Sequence, residues 1–269
     1  MVRKSRSTSK AKNKKFVSEE IENMYQDIDF IRKNNPLQFK LNFKFKTKKQ
    51  KEMYNSIMNN RITFVKGSAG TGKTIVALYA ALECLKRSDI NIDQIVLTKP
   101  IVEITTQRGI GALPGDINEK TLAYYTHFYD NLCKIIGSEN TGNLKQSGLI
   151  KETVLNYLRG STFGKYTPDG KPIGAFCIFD ESQNSSVTEM KTFISRMGEE
   201  SKLVILGDSD QIDLKLHKEE KCGLDDAIQR LQDIPGISMI QFSEEDIVRD
   251  PFLIEIMKRY KNDPNDTSK

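Results

Sequence analysis

The stretch Gly67-Ser68-Ala69-Gly70-Thr71-Gly72-Lys73-Thr74 constrains this chain more than any other. It matches G-x-x-x-x-G-K-[ST] at every fixed position. Its flanks matter as much as the match. Ile62-Thr63-Phe64-Val65 is a short apolar, β-rich run, which predicts a buried strand entering the loop. Behind the loop, Leu78, Ala81, Leu82 and Leu85 recur at helical spacing, which predicts a helix leaving it. Glycines let main-chain N–H groups converge on an anion where a side chain would block it. The helix N-terminus adds a partial positive charge. In this arrangement Lys73 serves the β- and γ-phosphates of ATP, and the Thr74 hydroxyl serves Mg²⁺. A glycine turn with a stray lysine is the plain alternative, and the flanking elements weigh against it.

Two further apolar runs end in polar residues. Ala175-Phe176-Cys177-Ile178-Phe179 leads into Asp180-Glu181. At the C-terminal edge of a strand, Asp180 suits Mg²⁺ held through water opposite Thr74, and Glu181 suits the orientation or deprotonation of a water at the γ-phosphate. Leu203-Val204-Ile205-Leu206-Gly207 leads into Asp208-Ser209-Asp210-Gln211. Gln211 or Asp208 there can sense a γ-phosphate by gaining or losing a hydrogen bond; a merely polar turn is the alternative. Gln50, shortly before the phosphate loop, suits adenine, whose edge shows a donor beside an acceptor as an amide does. Otherwise it is an exposed helix glutamine.

The rest of the chain surrounds these anchors. Residues 1–15 hold seven basic residues and no acid, which predicts a disordered basic arm. Attraction to a nucleic-acid backbone and simple solvation both fit it. A helix and linker are expected over 16–42, and Leu41, Phe43 and Phe45 alternate with polar residues like an edge strand. Thr47 is expected to cap a helix over Lys48–Asn59. Gln94–Thr98 reads as a strand, and Gly109, Gly111, Pro114 and Gly115 as a loop. With Gln107 and Arg108, that loop is either a mobile nucleic-acid contact or a plain connection. Asn118–Ile136 reads as a helix whose Tyr125 and Tyr129 favour core packing over base stacking. Val154–Leu158 reads as a strand, Thr167–Gly170 as a turn, Asp225–Leu231 as a helix and Gly236–Phe242 as a last strand, with a helix to Tyr260 and a frayed tail over 262–269. No run approaches the roughly 18 apolar residues of a membrane span. The four cysteines are far apart, without C-x-x-C, which suits a reducing cytoplasm. His127 and His217 read as ordinary surface or helix residues.

Taken together, the ordered motifs resemble the PhoH family of phosphate-starvation-inducible-type ATPases from bacteria and phages. They are Gly67–Thr74, Leu113–Asp116, Arg159–Phe163, Phe179–Asn184, Met190–Arg196, Gly207–Asp213 and Asp246–Arg249. The resemblance covers roughly residues 43–261 and implies an α/β, RecA-like P-loop core with a mostly parallel sheet flanked by helices. It also implies RNA or single-stranded nucleic acid as a partner and ring-shaped homo-oligomers, hexamers among them. Ser182 stands where the family has alanine. The chain has no room for the second ATPase domain that supplies arginines in two-domain helicases, so an arginine from a neighbouring copy is expected to complete the site. Arg249 is the first choice and Arg196 the second, since the resemblance places both near the motif-bearing loops. The reading is an ATPase that couples hydrolysis to helicase-like remodelling of nucleic acid. The alternative is a nucleotide-controlled assembly or regulatory ATPase without a nucleic-acid substrate.

Overall fold

Strands that bury both faces read as nearly unbroken apolar runs, and they need helices on either side. Among the described residues the strands are β1 (Ile62–Lys66), β2 (Ile92–Lys99), β3 (Ile150–Val154), β4 (Lys165–Tyr166), β5 (Pro172–Phe179), β6 (Lys202–Gly207) and β7 (Ile237–Gln241), and β1, β2, β5 and β6 meet that condition. The helices are α1 (Lys48–Asn59), α2 (Lys73–Lys86), α3 (Ile117–Ile136), α4 (Ser138–Gln146), α5 (Val187–Ile194) and α6 (Gly223–Leu231). The computed structural model describes residues 37–100, 117–155, 158, 160–208, 211–212, 221–248 and 252. The chain divides into two units, Met1–Lys40 and Leu41–Lys269, and the sheet lies in the second. The expected basic arm, the helix after Ser18, the Gly109–Gly115 loop, the last helix and the tail fall outside the described residues, Phe252 excepted.

Six strands run parallel in the order β3-β2-β5-β6-β1-β7, and β4 pairs antiparallel with β5. The turn expected at Thr167–Gly170 closes that short hairpin, with the Gly170 N–H on the Thr167 carbonyl at 2.8 Å. Side chains alternate across each strand. Ala175, Cys177 and Phe179 therefore join Met190 and Phe193 of α5 and Leu224, Ala227 and Ile228 of α6 in one core. Phe176 and Ile178, equally buried, face the other layer, where α2 packs on β2 and β5. Among the described residues, no helix is long and apolar enough to cross a membrane.

The strand order decides where the anchors meet. β1 leads into the glycine-rich loop, β5 leads into Asp180, and β6 lies between them. Because all three are parallel, their C-terminal ends open on the same edge, where ligands of open α/β sheets collect.

Two expectations need correction. The segment from Leu41 to Lys46 alternates in burial, but it forms no strand and joins no sheet. The Asn42 N–H bonds the Ile135 carbonyl of α3 at 2.9 Å. Phe43 and Phe45 pack on Tyr54 of α1 and Tyr79 of α2, with ring centroids 5.0–5.8 Å apart. Helices supply the apolar surface that a neighbouring strand was expected to supply. The strand expected at Val154–Leu158 is β3, which ends where that run begins. β3 is an edge strand with Lys151 exposed, and edge strands carry charge that breaks the apolar signal.

Gly174, near the start of β5, shows how tightly the sheet meets the loop before β6. A Cβ built there would lie 2.2 Å from the Glu200 carbonyl oxygen and 2.6 Å from the Ser201 nitrogen. Both are main-chain atoms, so no rotamer relieves the clash. Gly174→Ala is expected to cost about 1–3 kcal/mol, seen as a lower thermal midpoint. Gly142→Ala, in α4 with nothing within 4 Å of the new Cβ, is expected to hold or raise the midpoint by the helix propensity of alanine.

Candidate nucleotide site

The glycine-rich loop runs from the end of β1 to the first turn of α2. Gly70 and Gly72 hold positive φ of 88° and 84°, which glycine adopts without strain. Close approach adds a second reason at Gly72, where a Cβ would meet the Gln50 Nε2 at 2.6 Å. At Gly67 it would meet the Cβ of Phe242 at 2.5 Å. α2 starts without a side-chain cap, so its first N–H groups are not taken by a capping side chain. Thr71 braces the loop from within, its hydroxyl donating to the Ser68 carbonyl at 3.0 Å. Lys73 is buried and folds back on the loop, with Nζ 2.5 Å from the Gly67 carbonyl oxygen and 3.0 Å from that of Ser68.

Asp180 follows β5 beside this loop. The Thr74 hydroxyl donates to its Oδ2 at 2.9 Å, and the Glu181 N–H donates to its Oδ1 at 2.9 Å. Burial by itself pushes this carboxyl up. The hydrogen bond from His127, the charges of Lys99 and His127 and the Thr74 hydroxyl together outweigh burial and hold Asp180 below the ordinary carboxylate range. It is therefore ionised at neutral pH. Glu181 takes the left-handed conformation, φ 55°, a strained choice of the kind that gathers at functional sites.

A buried amide ties the other two loops together. Gln183 donates through Nε2 to Glu181 Oε2 at 2.8 Å and to the Gln211 carbonyl at 3.0 Å, and its Oε1 accepts the Asp208 N–H at 3.0 Å. Asp208 in turn reaches the glycine-rich loop, its Oδ2 accepting the Ala69 N–H at 2.9 Å. From above, α3 contributes His127, whose Nε2 lies 3.1 Å from Asp180 Oδ2. Asn131, one turn on, donates to the His127 carbonyl at 2.9 Å. These groups surround one cavity of about 230 Å³, lined by Ala69, Gly70, Gly72, Lys73, Thr74, Asn131, Asp180, Glu181, Asp208 and Gln211, among others.

The donor set suits magnesium. The Thr74 hydroxyl and the Asp180 carboxylate are hard oxygen ligands side by side, and magnesium takes one or two such groups and completes its shell with phosphate and water. Among the described residues no cluster of three or more His, Cys, Asp or Glu forms a metal cage.

Lys73, Thr74, Asp180, Glu181, Asp208 and Gln211 thus meet around one cavity with Ala69, Gly70 and Gly72, whereas Gly67, Ser68 and Thr71 of the loop, Gln50 and Arg196 do not line it. Gln50 is buried behind the loop and is not among the lining residues. Its Nε2 donates to the Thr71 carbonyl at 3.0 Å, and its Oε1 accepts the Lys46 N–H at 2.8 Å. Arg196 precedes β6, at the N-terminal edge of the sheet, where it sits near Ser161. It is thus close to one motif segment, the Phe163 N–H also bonding the Arg196 carbonyl at 2.7 Å, and it does not line the cavity. Arg249 lies outside the described residues; its neighbour Val248 donates its N–H to the Gly70 carbonyl at 2.9 Å. His127, Asn131 and Gln183 were missed as site residues, and His127 is no ordinary surface histidine.

A glycine-rich loop on a strand between β6 and β7, facing a strand-end Asp-Glu across one cavity, defines a P-loop protein with a RecA-like α/β core. More narrowly, the chain belongs to the PhoH family: the model described as "PhoH-like protein" matches residues 42–261. The PhoH-like protein of Bacillus subtilis (strain 168) is 39% identical over 215 residues, covering 80% of this chain and 63% of that protein. The PhoH-like protein of Synechocystis is 33% identical over 220 residues, covering 82% and 62%. Protein PhoH of Escherichia coli (strain K12) is 32% identical over 196 residues, covering 72% and 51%. The aligned region thus spans between 51% and 63% of the length of these relatives. Among solved structures, the large terminase of a thermophilic bacteriophage has a TM-score of 0.45 at 12% identity, covering 79% of this chain and 50% of that one. The UvsW helicase of bacteriophage T4 has a TM-score of 0.44 at 11% identity, covering 81% and 67%.

The position of Gln50 yields a prediction. Gln50→Ala leaves the buried carbonyl of Thr71 without this donor and the Lys46 N–H without this acceptor, at about 1–3 kcal/mol for an unsatisfied group. Hydrogen exchange around residues 70–72 should quicken and the denaturation midpoint fall. Gln50→Glu keeps the acceptor but loses the donor, and should show the loop effect as well.

Proposed function

We propose that this protein binds ATP with Mg²⁺ at the P-loop cavity and hydrolyses it, coupling turnover to remodelling of RNA or single-stranded nucleic acid. The observation that carries the nucleotide part is the Thr74–Asp180 hydrogen bond. It joins the start of α2 to the end of β5 and sets two metal-type oxygens beside the anion-binding loop. Magnesium, when bound, would offset phosphate charge between Thr74 and Asp180. Lys73 leaves the loop carbonyls for the β- and γ-phosphates. Glu181, held by Gln183, orients a water and takes its proton. Gln211 and Asp208, joined to Glu181 through the same amide, register whether the γ-phosphate is there.

The nucleic-acid part is supported by charge and composition. The net charge is +5, and the first fifteen residues hold seven basic side chains and no acid, the footprint of a phosphate-backbone contact. An arginine from a neighbouring copy, Arg249 before Arg196, completes the site in a homo-oligomeric ring; such fingers raise turnover by about 10³–10⁵.

Three measurements test this reading. Lys73→Ala should lose binding of a fluorescent ATP analogue. Glu181→Gln should keep binding but slow phosphate release by about 10²-fold or more. Single-stranded RNA or DNA should stimulate wild-type hydrolysis, and the stimulation should weaken as salt rises. Hydrolysis that rises with protein concentration but ignores every nucleic acid would favour the nucleotide-controlled assembly reading instead.

A further inference from the structure

We propose that His127 is a positioning residue for Asp180, fixing the carboxylate in the orientation that a magnesium nucleotide requires. The inference rests on the nucleotide reading above and adds a residue to it from a helix that carries none of the phosphate-loop or strand-end motifs.

The argument starts from the carboxylate. Asp180 has a side chain only 7% exposed, against 37% for His127. A buried carboxylate is costly unless its lone pairs are met. Oδ1 is met by the Glu181 N–H, and Oδ2 by the Thr74 hydroxyl and by His127 Nε2. An ionised carboxylate has no proton to give, so the Nε2–H of His127 donates. Thr74 and Glu181 grip Asp180 from the loop and from its own backbone. His127 alone among these three comes from α3, and it fixes the torsion of the carboxylate from a third element.

α3 is built to hold that donor still. Tyr125 donates to the Thr153 carbonyl at 2.7 Å, and Tyr129 bonds Glu152, so two tyrosines pin the helix to β3. His127 stands between them in sequence, about 200° round the helix from each, and so projects away from β3. Phe128, Leu132 and Ile135 bury the same helix in the core. The Asn131 side chain closes the turn on the His127 carbonyl and also lines the cavity. A half-exposed histidine on a pinned helix, aimed at a buried ligand carboxylate, is an outer partner of the metal position. Losing such a partner typically costs roughly 10–100-fold in metal affinity.

The test separates positioning from folding. A fluorescent, slowly hydrolysed ATP analogue is titrated with Mg²⁺ on the full chain. His127→Leu removes the donor and keeps bulk; His127→Gln keeps an N–H at similar reach. In His127→Leu the Mg²⁺ needed for half-maximal binding should rise about tenfold or more, while binding of the analogue in EDTA stays close to wild type. His127→Gln should restore most of the Mg²⁺ response. An unmoved Mg²⁺ requirement in His127→Leu would overturn the proposal. So would equal loss with and without metal, or failure of His127→Gln to rescue, since either marks a purely structural role. If wild type binds no analogue, or Lys73→Ala binds it as well as wild type, the nucleotide reading falls and this inference with it. Normal wild-type binding abolished by Lys73→Ala, with an unmoved His127→Leu, would overturn only the role of His127.

Discussion

The structure turns on one hydrogen bond, from the Thr74 hydroxyl to the Asp180 carboxylate, between residues 106 positions apart. A buried carboxylate holds its charge only where donors and positive charge replace the water it loses. The sheet supplies that place. β6 lies between β1, which leads through the loop to Thr74, and β5, which leads to Asp180, so their C-terminal ends open with that of β6 between them. Hydrophobic burial of α2 on one face and of α5 and α6 on the other fixes the strand order. The polar contact is thus a consequence of apolar packing several residues away.

The glycine-rich loop is not idle in this form. Anion-binding amides pointed into a cavity would be costly without acceptors, and Asp208 provides one for Ala69. A carboxylate oxygen there makes the contact that a phosphate oxygen makes in a loop of this type. Lys73 likewise spends its donors on the carbonyls of Gly67 and Ser68. Gln50 supports the loop from behind, its amide used at both ends. The Ala69 amide, the Thr71 hydroxyl and the Lys73 ammonium each have an internal partner, and a ligand that takes the first or the last has to displace that partner.

Much of this was legible in the sequence, for reasons that differ by residue. The phosphate loop announces itself because positive φ and close approach leave little choice but glycine at Gly72. Asp180 and Asp208 were visible because acids ending long apolar runs fall at strand ends. The cap at Thr47 followed from its side chain, which accepts the Gln50 N–H at 3.1 Å. What failed depends on partners far along the chain. The Leu41–Lys46 segment alternates like a strand, but its partners are rings on two helices. β3 hides behind Lys151 and Glu152 because an edge strand tolerates charge. His127 looked ordinary because nothing in the spacing of α3 tells which strand end its face will meet. Gln183 was visible only as part of a family motif; that its amide would bridge two loops needed coordinates.

That bridge has a mechanical consequence. The side chain of Gln183 is fully buried and holds Glu181, Asp208 and the Gln211 main chain at once. A flat amide cannot rotate out of one of these contacts and keep the others. A shift of the Asp208 or Gln211 main chain therefore has to break a bond to Gln183 or carry this amide, and with it the Glu181 carboxylate, along.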